Sequence, residues 1–170
     1  MAPQKPAVCM MAGLCIRWPS DGTESVLHSF SGTDGADPKG APALDRNGNV
    51  YGTAYQGGSN GYGSIYKIWP RGKFTILYNF AGGADGANPQ GDLIEAGGNL
   101  YGTTVRGGVD DLGVVFEITK TGTETVLYSF VGGSGGYPYS GVTFGGRGVF
   151  YGTASGGGDG SQGVVFRLKK

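Results

Sequence analysis

The sequence predicts an all-β protein, a β-propeller built from four-stranded blades of about fifty residues. Three observations carry this. "NVYGTA", "NLYGTT" and "VFYGTA" return at 49–54, 99–104 and 149–154, a fixed fifty-residue spacing that sets Tyr51, Tyr101 and Tyr151 in one register. Other landmarks keep that register: Phe30, Phe80 and Phe130 close one apolar stretch, and Gly13, Gly63, Gly113 and Gly163 open another. Between the landmarks lie short β-prone runs bounded by turn residues, with no sustained 3.6-residue apolar period.

Each unit holds four such runs, A to D. In the first full unit A is 41–45, B is 49–54, C is 63–68 and D is 73–80. "RNGN" joins A to B as a tight hairpin, because both central residues tolerate positive φ. "WPRG" and "TKTG" make equally compact C–D turns. The innermost strands are expected near 41–45, 91–95 and 140–144. In strand B the Tyr and Thr of Tyr-Gly-Thr share a face, and the bare glycine is expected to receive an aromatic ring from the next blade.

A divergent segment, 1–12, precedes one propeller-repeat domain, 13–170, with units near 13–30 (partial), 31–80, 81–130 and 131–170. That division gives three A, three B, four C and three D strands, about three blades per chain. Three blades cannot close a ring, since propellers have four to eight. The expectation is closure by self-association, a homodimer first. Two chains give six blades, and a further strand from 1–12 raises the count to seven.

Composition narrows the function classes. Thirteen basic and thirteen acidic residues balance, so no basic surface points to nucleic acid. No apolar run is long enough to span a bilayer, and the N-terminus lacks the apolar core of an export signal. Glycine is abundant, 37 of 170, but aromatics are plentiful too, which fits turns in a β protein rather than disorder. Cys9 and Cys15 are too few for a disulfide scaffold and lack partners for zinc; they read as two free thiols, with a mutual bridge as the alternative.

Strands alternate direction, so the tight A–B and C–D turns share one end and the long B–C and D–A loops the other. Loops on a rigid scaffold are where ligands bind. The candidate binding residues there are Asp34, Asp37, Tyr55, Asn60, Tyr62, Asp85, Asn88, Arg106, Asp110, Asp111, Tyr137 and Tyr139. Tyrosines offer faces for sugar stacking, and Asn and Asp offer hydrogen bonds. Asp34 and Asp85 also suit turn caps. No catalytic residue, metal ligand or cofactor is assigned. His28, the single histidine, exchanges in register with Tyr78 and Tyr128, which reads as packing. Two functions stay open: a non-enzymatic binding or scaffolding propeller for glycan or protein, and a hydrolase or lyase using carboxylates such as Asp34, Asp85 and Asp110 in the central channel. A repeat fragment with no evolved ligand is the third.

"GGADGANPQGDLIEAGGNLYGTTVRGG" and "GVVFEITKTGTETVLYSF" resemble the GloVer tandem-repeat proteins of bacteria over about 13–170. The A–B hairpin is also similar to NHL-type propeller blades. The resemblance implies a repeat β-propeller, often in secreted or surface-anchored bacterial proteins, with no catalytic residues to carry over.

Overall fold

The computed structural model describes residues 8–10, 14–17 and 24–170, the first two stretches as backbone strands. Four antiparallel sheets follow one another along the chain. Blade 1 is β1 (Val8–Met10), β2 (Leu14–Arg17) and β3 (Ser25–Ser29). Blade 2 is β4 (Ala43–Leu44), β5 (Val50–Ala54), β6 (Ser64–Ile68) and β7 (Phe74–Asn79). Blade 3 is β8 (Ala87–Pro89), β9 (Ile94–Ala96), β10 (Asn99–Arg106), β11 (Val114–Ile118) and β12 (Glu124–Ser129). Blade 4 is β13 (Thr143–Gly146), β14 (Val149–Ala154) and β15 (Val164–Lys169). Among the described residues the helical content is one 3-10 turn, Asp159–Ser161.

β1 adds a B strand to the first unit, which sequence alone gives only as a C–D hairpin. The short apolar run Val-Cys-Met pairs with β2, Val8 against Ile16 and Cys9 against Cys15, and so covers an otherwise open edge. The inner strands start later than expected, at 43, 94 and 143. The residues just before them end in Gly40, Gly91 and Gly141, a few residues after a proline, and press against the neighbouring blade. Ala41 N donates to Asp92 Oδ1 at 2.7 Å, and Leu93 N to Ala41 O at 3.1 Å. A Cβ on Gly91 would collide with the Ser140–Gly141 backbone, so only glycine allows this approach.

The core lies between sheets. We call the side of each blade that meets the following blade its front. Tyr51 and Ile65, on the front of blade 2, pack on Leu93, Leu100, Phe116 and Ile118 of blade 3. Tyr101 and Val115, on the front of blade 3, pack on Val142, Phe150 and Phe166 of blade 4. Leu27 and Phe30 of blade 1 meet Val50, Tyr66 and Ile68 of blade 2. Fully burying each such side chain contributes about 1.5–3 kcal/mol.

The Tyr-Gly-Thr glycine is covered differently from the expectation. Gly52, Gly102 and Gly152 lie opposite Tyr66, Phe116 and Phe166 on the neighbouring strand of the same sheet. Those rings lie across the glycines, so a Cβ at any of them would collide. The aromatic therefore comes from strand C of the same blade, a cross-strand pair on the back face. The Tyr and Thr of the phrase do share the front face.

Candidate functional site

The B–C and D–A loops meet at one end of the sheets, laced by backbone hydrogen bonds that repeat with the unit. Gly58 N donates to Gly32 O at 3.0 Å, Gly108 N to Gly83 O at 2.9 Å and Gly158 N to Gly133 O at 3.2 Å. This lacing leaves much of the loop face as fixed backbone.

Half of the candidate side chains serve that backbone. Asp34 accepts from Ser31 N at 2.8 Å, Ser31 Oγ at 3.0 Å and, with Nε2 as donor, from His28 at 2.8 Å. Burial works against its charge, but the Ser31 and His28 bonds hold the carboxyl below the usual carboxylate range. Asp85 repeats the device, accepting from Tyr78 Oη and Ala81 N, both at 2.8 Å. In the third unit Tyr128 Oη donates to Ser134 Oγ at 3.1 Å. His28 exchanges with tyrosine because both reach the same loop acceptor, and its ring also stacks on Phe74 at 3.5 Å. Asn60 Nδ2 donates to Phe80 O at 3.0 Å, and Asp110 accepts from Gly132 N at 3.0 Å. Asp111 accepts from Gly107 N at 2.7 Å. Tyr62 is half exposed, but its ring fills the space beside Gly82.

Asp37, Asn88 and Tyr137 form one set. Each precedes a proline and adopts a left-handed backbone, with φ of 58°, 58° and 55°. Asn88 Nδ2 donates across to Tyr55 O at 3.0 Å. A tyrosine in this conformation is strained, since Asn and Asp tolerate it far better. Its ring lies beside the Arg106 guanidinium, 5.0 Å from centroid, and Arg106 Nη1 also meets Asp111 Oδ2 at 3.2 Å. One blade earlier, Lys39 Nζ lies 3.6 Å over the Tyr55 ring and 3.2 Å from Asp37. The inner rim of the loop face thus carries two adjacent cation–tyrosine pairs, with Tyr139 exposed nearby. Sequence reasoning missed Lys39; its signal was the position after the loop proline, which holds Lys39, Gln90 and Tyr139 in the three units.

The tight-turn end is more charged than its short turns suggested. Asp45, almost fully buried, accepts from Asn49 N, Asn49 Nδ2 and Tyr51 Oη at 2.9–3.0 Å. Burial opposes ionisation, yet these bonds and one from Asn47 N hold its carboxyl at about 2. Burial and the bond to Asp45 push the Tyr51 hydroxyl upward. Lys120, from the next blade, reaches Asp45 at 3.4 Å and Glu95 at 3.3 Å. One blade on, Glu117 takes Asn99 Nδ2, Tyr101 Oη at 2.9 Å and Lys170 Nζ at 2.6 Å. Against the pull of burial, Lys170, Asn99 and Tyr101 hold the Glu117 carboxyl below its ordinary value. Each clasp joins a tyrosine of one blade to a lysine of the following blade. Glu124 is the exception: burial, then the nearby Asp85 charge, raise it to about 7, and its Oε1 has no hydrogen-bond partner among the described residues.

No described group of three His, Cys, Asp or Glu side chains is placed to hold a metal ion. Among the described residues no helix is long and apolar enough to cross a membrane. A family model, the Gloeobacter/Verrucomicrobia repeat, matches residues 12–170. The chain belongs to this repeat family. No curated protein matches it. Among solved structures, Gloeobacter/Verrucomicrobia repeat blades resemble a virginiamycin B lyase from Staphylococcus aureus, at TM-score 0.60 and 14% identity, over 95% of this chain and 50% of that one. A streptogramin B lyase matches at TM-score 0.60 and 16% identity, over 94% of this chain and 48% of that one. A putative gluconolactonase matches at TM-score 0.53 and 14% identity, over 94% and 58%. The chain therefore spans about half the length of the lyases it matches. At these identities the likeness shows the propeller-type fold.

Proposed function

We propose that this repeat propeller is a non-enzymatic binding and scaffolding module. It builds a closed ring with a second copy of itself and presents the loop face to a carbohydrate or protein ligand. The observation that carries the ligand reading is the pair of cation–tyrosine stacks on adjacent blades, Lys39 on Tyr55 and Arg106 on Tyr137. Rings braced in this way offer rigid, amphipathic faces at little entropic cost, and Tyr139 extends them. Each contact is shallow, so useful affinity comes from several sites on one ring, where linkage gains about a hundredfold or more. The loop acids Asp34, Asp85 and Asp110 support the non-enzymatic reading, because each accepts from a backbone amide of its own or an adjoining loop.

A glycan and peptide array tests this proposal. Tyr55→Ala with Tyr139→Ala should lose the ligand signal while keeping the wild-type melting temperature within a few degrees. Unchanged binding in that variant overturns the loop-face reading. The second reading, lyase or hydrolase chemistry from channel carboxylates, draws on the names of the fold neighbours. Consumption of virginiamycin B or of a gluconolactone by the purified chain, abolished by Asp85→Asn, would favour it over the first.

A further inference from the structure

Blades 2 and 3 each cover their front face with the next blade, and the same positions of blade 4 are bare. Tyr51 and Tyr101 are 0% and 6% exposed, whereas Tyr151 is 45% exposed. Ile65 and Val115 are both at 0%, and their counterpart Val165 is at 81%. Thr103 Oγ1 donates at 2.8 Å to Ser140 O of the following blade, but Thr153 in the same register is exposed and meets its own blade's Ser140 Oγ at 2.9 Å. A hollow of about 270 Å³ lies beside Thr153, lined also by Tyr139, Ser140, Ala154 and Ser155. Blade 1 shows the complementary defect. Val26 is 52% exposed, while Ile76 and Val126 in the same register pack partly buried in the interfaces of blades 1–2 and 2–3.

Building on the ring reading above, we propose that the front face of blade 4, centred on Tyr151 and Val165, docks the back face of blade 1 of a second copy of this chain. The occupant follows from continuity with the three interfaces already formed inside the molecule. Front meets back at blades 1–2, 2–3 and 3–4, so the unfilled front takes a back of the same repeat. The contact is heterologous, and two copies close it twice, head to tail, around a two-fold axis. A ring of two identical halves has an even number of sheets; four sheets apiece make eight, in place of the six or seven expected from the sequence. Tyr151 and Val165 thus stand exposed at positions that are buried in blades 2 and 3, where a following blade is present.

The test is light scattering coupled to size exclusion at micromolar concentration, with circular dichroism confirming that each variant is folded. The wild type should run at twice 17.4 kDa. Val165→Asp removes every front and Val26→Asp every back, so each variant alone should run as a monomer. Mixing the two variants restores one good interface, and dimers should reappear. Tyr151→Lys serves as a second front-face variant should Val165→Asp fail to fold. A dimer that persists in Val26→Asp overturns the proposal, because it shows front meeting front. A monomeric wild type also overturns it and leaves the face to an adjoining repeat of a longer polypeptide. Ligand binding at the loop face is read separately on the monomeric variants, so loss of one result does not imply loss of the other.

Discussion

The two ends of the propeller invert the usual expectation about loops and turns. The loop end is long, varied and rich in Asp, Asn and Tyr, yet most of its polar side chains cap backbone within their own or an adjoining loop. The turn end is short and repetitive, yet it carries Asp45 and Glu117, which are buried, multiply bonded and tied to a lysine of the next blade. Side-chain variety therefore marks where the chain turns without secondary structure and must satisfy its own amides. Fastening happens where strands end together and a long side chain can cross to the neighbouring sheet. The proposed ligand binding falls to the few loop-end groups that face away from the backbone.

The largest effect expected at the turn end is that of Asp45→Ala. Removing the carboxylate leaves buried donors of Asn49 and Tyr51 without an acceptor, and leaves Lys120 with Glu95 as its remaining carboxylate partner. The loss should be about 3 kcal/mol in chemical denaturation. Because the Asp45 carboxyl is held at about 2 in the folded protein, its contribution is complete above the ordinary carboxylate range and fades as pH falls toward 2. Asp45→Asn should flatten the acid limb of the stability profile between about pH 4 and pH 2.

Glu124 should act with the opposite sign. Its carboxyl is raised to about 7, so the folded state holds a proton that the unfolded chain has lost. Its contribution is fully present below the unfolded value and disappears as pH rises through 7. Glu124→Gln should therefore stabilise the protein at pH 8 by about 1–2 kcal/mol and change little at pH 4, as thermal melts at the two pH values will show. An equal shift at both would mean that the side chain is not charged between the blades.

The smallest effect belongs to the loop end. Asp110→Ala removes one exposed acceptor of Gly132 N, which water can replace, and should cost less than about 1 kcal/mol. A loss matching that of Asp45→Ala would erase the contrast between the ends.

Much of this was legible in the sequence, and the exceptions have physical causes. The fifty-residue register located the B, C and D strands, because turn glycines and alternating apolar residues are local signals. The inner strands were misplaced because their start is decided by the next blade: Gly40, Gly91 and Gly141 admit a neighbouring backbone, and no local propensity reports that. The ring over Gly52 was assigned to the wrong sheet because alternation gives a side chain's face without naming its partner. Tyr66 was visible in strand C, directly opposite. Asp37, Asn88 and Tyr137 were found as loop residues, but their shared left-handed backbone emerged only with the fold. The turn-end clasps were the larger omission. Asp45 and Lys120 stand 75 residues apart, although Lys120 and Lys170 recur in register and mark the pattern once the blades are stacked.

The most direct measurement of the contrast is native-state hydrogen exchange along the chain. The account predicts that amides at the turn-end clasps, Asn49 N and the strands through Tyr51 and Tyr101, exchange only through global unfolding. Amides at the loop tips, such as Thr33 and Gly83, should exchange by local opening, orders of magnitude faster. Equal protection at both ends, or a turn end that opens first, would contradict the claim that the blades are fastened at the turns and left free to bind at the loops.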